Sequence, residues 1–281
     1  MIAPAYPDSA FIDVAAKLPT APRLLVELGH LLVSPHTEQS HVVSLLRRDT
    51  AIVASLIRMA NSAAYAPAEP VGSLERAVAL VGFAEVHRLV GAIAAGQLAE
   101  QAFRLYPVTN HQLRQHTLFT AVLLEELAVT ARESHPRTCY TAGLLRSIGM
   151  MALERLGEAE PRLAPYRESG EATVEAWERR CWGVTNYEVA EKILRHWRMP
   201  HETVGAVRFH HEPGGRHNPV IHLLRLAVAG ANDRLATLSG GDEDWSITPE
   251  NFAKAGLSER RYFETCEKAQ RKFEHLRSAV G

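Results

Sequence analysis

Histidines and carboxylates are the side chains in this sequence that are most able to do chemistry, and they are far apart along the chain. The candidates are His116, His210, His211 and Asp233. Imidazole nitrogens and carboxylate oxygens are common zinc ligands. However, His210 and His211 are neighbours on a predicted helix, so their side chains diverge by about 100° at roughly 3.6 residues per turn. Because both rings cannot easily enter one site, we do not expect these four residues to form a zinc centre, and we assign no metal ligand, no catalytic residue and no cofactor.

Two adjacent polar residues offer a different kind of site. Arg146 and Ser147 are suited to bind an anion, because a guanidinium group holds carboxylate or phosphate through paired hydrogen bonds. A structural ion pair is the alternative role for Arg146. Its fixed charge also opposes a nearby cation, since unit charges in contact repel by about 4 kcal/mol at an effective dielectric constant of about 20.

Other polar candidates each have a structural interpretation beside the functional one. His116 is either a ligand or a buried histidine that is hydrogen-bonded to a polar neighbour. The pair His210 and His211 is either part of a site or consists of one capping or core histidine and one surface histidine. Asn186 follows Thr185 at the start of a predicted helix, where it either caps the helix or contributes to a site.

A short polar segment follows the helix that begins after Asp49. Asn61 and Ser62 end this helix and precede Tyr65. They either terminate the helix through bonds from side chain to backbone or line a cleft between two lobes together with Tyr65.

Composition and charge narrow the classes of protein. The chain has 281 residues, of which 46% are hydrophobic and 22% charged, and its formal net charge is −1. These values are ordinary for a globular protein and give no overall electrostatic support for nucleic-acid binding. The three cysteines form no C-x-x-C pair, which argues against a zinc ribbon or a disulfide scaffold.

The expected location follows from cysteine usage and from the apolar runs. Isolated cysteines fit a reducing compartment. The N-terminal residues lack the pattern of a signal peptide, and no apolar run approaches the roughly 18 residues that a membrane helix needs. We therefore expect a cytoplasmic protein that does not contact a membrane.

The hydrophobic pattern is helical nearly throughout, which predicts an all-α, multi-helix fold. Asp49 and Ser73 are predicted N-caps, and Gly82 is predicted to interrupt a helix. A soft loop is predicted over 239–250. The other predicted helices cover 85–101, a long segment from His111, 140–156, 171–181, 186–198, 201–211, 219–237 and 258–279. We expect two lobes, an N-terminal helical lobe over 1–108 and a second helical lobe over 109–281.

Two predicted helices that meet at Gly82 are similar to a helix-turn-helix, which makes segment 73–95 a candidate for DNA binding. Base readout needs polar side chains on the second helix. That helix offers Glu85, His87 and Arg88 and then becomes apolar. Such a face belongs in a protein core, so nucleic-acid binding is the less favoured interpretation of this segment.

Several phrases, taken in order, resemble the HDOD family, a relative of the HD phosphohydrolases. They are LPTAPRLL (18–25), RRDTAIVASLIRMANSAAY (47–65), SLERAVALVGF (73–83), the helix around His116, AGLLRSIGMMAL (142–153), NYEVAEKILRHWRMPHETVGAVRFHHEP (186–213) and ANDRLA (231–236). The resemblance covers roughly residues 15–240. It implies an all-α fold with an HD-like bundle in the second lobe, and a role in bacterial signal transduction.

The resemblance also implies where metal ligands would lie. HD enzymes use a histidine, an adjacent His-Asp pair and a later aspartate to hold divalent metals that activate water. His116 matches the first histidine, and the His-Asp pair falls at Arg146 and Ser147. Asn186 occupies a position where many relatives carry histidine, whereas Asp233 remains. Arginine cannot ligate a metal, so the resemblance implies a degenerate centre.

Three functional hypotheses follow. The favoured one is a non-catalytic regulatory protein of signal transduction, a pseudoenzyme that binds a signalling protein or a small ligand. The second is a residual metal-dependent phosphohydrolase or nucleotide-binding protein that uses His116, Arg146 and His210. The third is a DNA-binding regulator that uses segment 73–95.

Overall fold

The protein is an assembly of helices. The structure, a computed structural model, describes residues 6–62, 65–100, 102–133, 135–160, 163–212, 214, 218–235, 238 and 245–280. The helices in its first part are α1 (Asp8–Ala16), α2 (Thr20–Val33), α3 (Gln39–Leu46), α4 (Thr50–Ala60), α5 (Leu74–Val81), α6 (Phe83–Leu98) and α7 (Asn110–Ala131). Those that follow are α8 (Pro136–Leu145), α9 (Ile148–Gly157), α10 (Val174–Trp182), α11 (Asn186–His196), α12 (His201–Phe209), α13 (Pro219–Arg234), α14 (Pro249–Lys254) and α15 (Glu259–Val280). No β-strand occurs in these described ranges, which confirms the all-α class.

Side-chain caps fix where several helices begin. The Asp49 carboxylate accepts hydrogen bonds from the backbone N–H groups of Ala51 and Ile52, and Ser73 accepts one from Arg76. Both N-caps confirm the sequence-based prediction, because these oxygens satisfy N–H groups that have no partner within the helix. Gly82 ends α5 with φ +81°, a conformation that favours glycine.

The helix predictions from the sequence pattern were wrong at three places. The helix predicted over 140–156 is two helices, because the chain turns at Arg146 and Ser147 between α8 and α9. Helices α1 and α2 lie in a region for which no helix was predicted, and α14 begins inside the predicted loop 239–250. Residues 239–244 of that loop lie outside the described residues.

Helix α7 is the centre of the second half of the chain. Its buried residues run from Leu113 to Ala128 on nearly all faces, as in a helix surrounded by others. It packs against α6, α8, α13 and α15. The approach to α8 is close, since a Cβ added to Gly143 would lie 2.6 Å from the Cα of Ala121. The position of α7 explains why a polar side chain on it can reach several other helices.

Contacts between helices cross residue 108, where the sequence predicted a division into two lobes. Helix α1 packs against α9 and α11, α2 packs against α8, and α15 packs against α4 and α6. The Arg88 side chain on α6 donates to the buried Glu125 carboxylate on α7, with Nε and Oε2 2.7 Å apart. The division at residue 108 stays a prediction, and any such lobes share a substantial contact.

No single helix in the described ranges is long and apolar enough to cross a membrane. Helices α5 and α6 reach the required length only together, across a bend of 110°.

Candidate functional site

His116 lies on α7 and is buried, with both ring nitrogens in hydrogen bonds. Nδ1 is 2.8 Å from an Nη atom of Arg146, and Nε2 is 2.7 Å from Oδ1 of Asn232. Thr120, one turn along α7, places its hydroxyl 3.3 Å from Nδ1. Because a guanidinium group only donates, Nδ1 must accept, and the ring proton therefore lies on Nε2 and is donated to Asn232. This arrangement agrees with the structural interpretation of His116, in which it is a buried histidine that is hydrogen-bonded to polar neighbours.

The surroundings of His116 keep its ring neutral. Burial and then the Arg146 charge lower the pKa of His116 to about 3, and the hydrogen bond to Asn232 only partly opposes them. At neutral pH the imidazole thus carries one proton, on Nε2, and directs its lone pair at Arg146.

Asp233 does not occupy the position that the resemblance implied. Its residue is exposed on α13, whereas the preceding Asn232 is the one that contacts His116. Consecutive residues on a helix differ in direction by about 100°, so only one of them can face α7. The neutral amide of Asn232, rather than the carboxylate of Asp233, therefore lies at this site.

Arg146 and Ser147 form the turn between α8 and α9, and both are buried. The turn directs the Arg146 guanidinium towards α7, where it meets His116. Ser147 is the N-cap residue of α9, and its carbonyl accepts the hydrogen bond from the N–H of Met151. The break in the helix is thus what brings the arginine into contact with the histidine.

His210 is a fully buried residue at the end of α12. Its Nδ1 is 2.9 Å from the carbonyl oxygen of Val207, so Nδ1 carries the proton and donates it. Burial and the Arg146 charge hold its pKa well below the usual range. Its ring contacts Tyr187 and Trp245, with centroids 5.4 and 5.7 Å apart. The sequence gives no signal for this position of Trp245, because a lone tryptophan in a loop belongs to no periodic pattern.

His211 follows the end of α12, and its side chain does not lie on the surface, which was one of the two interpretations of the histidine pair. That side chain is only 4% exposed, and its ring stacks on Tyr187 with centroids 3.7 Å apart. Its Nε2 is 3.2 Å from a carboxylate oxygen of Glu175. Glu175, His211 and Glu212 are the one group in the described ranges that places three possible metal ligands within 4.8 Å of one another. His116 is not a member of it.

Asn186 binds a buried carboxylate. Its backbone N–H and its side-chain amide donate to Glu178, at 2.8 and 3.0 Å, and the hydroxyl of Tyr106 donates at 2.6 Å. Thr185, and not Asn186, is the N-cap of α11. Burial raises the pKa of Glu178 to about 8, although these donors partly oppose the shift. Sequence reasoning missed Glu178, because glutamates on helices are usually exposed.

The segment after α4 has a structural role at its first residue. Asn61 is exposed, and its amide donates to the carbonyls of Ile57 and Val71 and accepts from the N–H of Val71. It thereby fastens the following loop to the end of α4. Ser62 and Tyr65 are half-buried, and residues 63 and 64 between them lie outside the described residues. The cleft role for Asn61, Ser62 and Tyr65 stays a prediction.

The polar residues that the second helix of segment 73–95 offers for base readout have partners within the protein. His87 is fully buried, with Nε2 3.3 Å from the hydroxyl of Thr141. Arg88 is bound to Glu125 and also to Glu85. Helix α6 is therefore a core helix, as its apolar face indicated.

Comparison with known proteins agrees with the all-helical fold. The HDOD domain matches residues 18–213 of the chain. The protein thus belongs to the HDOD domain family.

Solved structures share the fold. An HDOD domain protein with unknown function from Geobacter sulfurreducens is 19% identical, with a TM-score of 0.66 and 97% of each chain covered. A Marinobacter aquaeolei protein provisionally named a signal transduction protein is 24% identical, with a TM-score of 0.71 over 94% of this chain and 59% of that one. A Shewanella amazonensis protein provisionally named a phosphohydrolase is 21% identical, with a TM-score of 0.66 over 97% and 98%.

A curated relative matches by sequence. It is an uncharacterized protein of Treponema pallidum (strain Nichols), 22% identical over 205 residues. The match covers 72% of this chain and 39% of that protein, so the chain spans well under half of the relative's length. Membership of the family is consistent with a regulatory role.

Proposed function

We propose that this protein is a non-catalytic regulatory protein of signal transduction, which acts by binding a protein partner. The observation that carries the proposal is the hydrogen bond from Arg146 to Nδ1 of His116. His116 is the histidine that matches an HD ligand, and the Arg146 guanidinium donates a hydrogen bond to its Nδ1 lone pair. Because Nε2 carries the ring proton, no free lone pair remains on the ring to coordinate a metal.

The residues around His116 do not fit a divalent metal. Beyond the arginine, the nearest partners are the amide of Asn232 and the hydroxyl of Thr120, which are weak ligands for transition metals. Ser147 offers no carboxylate to bridge two ions. The fixed positive charge of Arg146 beside the ring opposes a cation, and neither Asn232 nor Thr120 can support hydrolysis through a metal-bound water.

The proposal is tested by metal analysis and by an assay for hydrolysis. We expect the purified protein, supplied with Mn²⁺, to hydrolyse bis(p-nitrophenyl) phosphate no faster than its His116→Ala variant. The control is His211→Ala, because His211 belongs with Glu175 and Glu212 to a separate group of possible metal ligands. Mn²⁺-dependent turnover, or stoichiometric metal, that is lost in His116→Ala and kept in His211→Ala would overturn the proposal.

A further inference from the structure

An apolar groove runs between the two halves of the chain, outside the site around His116. It consists of two adjoining cavities of about 250 and 310 Å³ that share the walls Val33, Thr138 and Pro200. Its sides come from α2, α8 and the start of α12. Val33, the last residue of α2, is 57% exposed, which is unusual for a large aliphatic side chain in this protein. The groove therefore offers two neighbouring sockets for apolar side chains.

Two carboxylates stand at one end of this groove. Glu133 and Glu202 line the same cavity. Burial and the charge of Glu202 raise the pKa of Glu133. In the described ranges no lysine, arginine or histidine nitrogen lies within 4.0 Å of either carboxylate, in contrast to Glu188 and Glu191 on α11, which contact arginines. The apolar walls thus end in two carboxylates that form no ion pair with the described residues, and His135 lines the same cavity.

We propose that this groove docks a basic, amphipathic helix of a protein partner. Apolar side chains three or four residues apart on such a helix would fill the two sockets, and a lysine or arginine one turn away would meet Glu133 and Glu202. Two sockets with a common wall suit anchors at helical spacing. The acidic end favours a cationic partner, because charge complementarity selects the partner and its orientation. The proposal rests on the proposed binding function and names the surface that performs it.

The test uses a labelled, helix-forming peptide of 16 residues that carries leucines along one face and lysines beside them, measured by fluorescence anisotropy. Two further peptides replace either the lysines with glutamate or the leucines with serine. We expect the lysine–leucine peptide to bind the full chain, and both replacements to weaken binding at least about tenfold. No binding by the first peptide, or equal binding by the serine peptide, would overturn the proposal.

Variants of the chain locate the binding. Glu133→Gln combined with Glu202→Gln should weaken the affinity for the lysine–leucine peptide about tenfold, and Val33→Asp should weaken it as strongly. The matched control, Glu100→Gln combined with Glu158→Gln, removes two exposed carboxylates elsewhere and should change the affinity less than twofold. Circular dichroism checks that each variant is folded. Equal losses of affinity in the two double variants would mean that the peptide is held by general charge attraction, and would contradict docking in the groove. If the protein shows no His116-dependent hydrolysis and also fails to bind the peptide, the groove proposal is refuted, whereas the proposed regulatory function is not.

Discussion

At the scale of single residues, the contact between His116 and Arg146 defines one tautomer. Arg146 donates to Nδ1 and Asn232 accepts from Nε2, so a neutral ring protonated on Nε2 satisfies both partners. Protonation of Nδ1 would place two N–H groups against each other. The arginine therefore occupies the direction from which an ion would approach the ring.

We predict that ¹⁵N-detected NMR will show His116 as the Nε2–H tautomer throughout pH 5–8. Burial and the Arg146 charge lower the pKa of His116 to about 3, so the ring should not gain a proton in this range. His116→Gln assigns the resonance. A ring that titrates near pH 6.5, or that carries its proton on Nδ1, would contradict the hydrogen-bond assignment.

A second prediction concerns Glu178. Its pKa is raised to about 8 in the folded protein against an ordinary 4.5, so the folded state holds the proton more tightly than the unfolded state. The resulting stability is complete below about pH 4.5 and is lost as the pH rises towards 8. Glu178→Gln keeps the shape and removes the titration. The free energy of unfolding of the wild type should fall relative to this variant by up to about 1.4 kcal/mol per pH unit within that window.

Urea unfolding at a series of pH values measures the Glu178 effect. The control Glu168→Gln, at an exposed position, should follow the wild-type curve. Parallel curves for the wild type and Glu178→Gln would show that the buried carboxyl does not hold its proton.

The candidate site was only partly predictable from the sequence. His116 and Arg146 could be placed because phrases around them resemble a family with a known ligand order. Asn232 was missed in favour of Asp233, since a shift of one residue on a helix changes the face while leaving the local pattern nearly the same. The partnership of Glu178 with Tyr106 and Asn186 joins three distant segments, and no local spacing encodes it.

At the scale of helices, α9 and α11 pack closely because Gly149 has no side chain. A Cβ added to Gly149 on α9 would lie 1.8 Å from the carbonyl oxygen of Asn186 on α11. Backbone cannot give way as a flexible side chain can, so this contact sets how near the two helices pack.

We predict that Gly149→Ala destabilises the protein by about 3 kcal/mol or more, because overpacking against the backbone outweighs the roughly 1 kcal/mol gain in helix propensity. Gly72→Ala is the control, since nothing lies within 4 Å of its added Cβ, and it should change the free energy of unfolding by no more than about 1 kcal/mol. Urea denaturation measures both. Equal stability of the two variants would refute the close approach.

Helix ends were predictable where a capping residue or a glycine marks them. Asp49, Ser73 and Gly82 carry local signals, and the structure confirms each of them. The break between α8 and α9 has no proline or glycine at the turn, so the apolar period runs through it unchanged. The turn instead coincides with a tertiary contact, in which the Arg146 side chain points towards α7.

At the scale of the whole molecule, contacts across residue 108 favour unfolding as one unit. All four tryptophans lie after residue 176, so their fluorescence reports the second half of the chain only, whereas circular dichroism reports all helices. We predict that the two signals change together on denaturation. Leu56→Ala, in the buried face of α4, should shift both midpoints equally, with a loss of about 2–5 kcal/mol.

Two separated transitions, with fluorescence unchanged by Leu56→Ala, would mean that the halves unfold independently. The exposed Ser40→Ala variant on α3 serves as the control and should leave both midpoints in place.

Helix α1 is synthesised well before α9 and α11, the helices against which it packs in the folded protein. At about 5–20 residues per second, the ribosome adds the intervening chain in a time on the order of ten seconds. During that interval Phe11, which is fully buried in the folded protein, lacks the surfaces of α9 and α11 against which its helix packs. Closure of the N-terminal helix is therefore a late event in biogenesis, and a nascent chain halted before α11 would present this aromatic ring to chaperones.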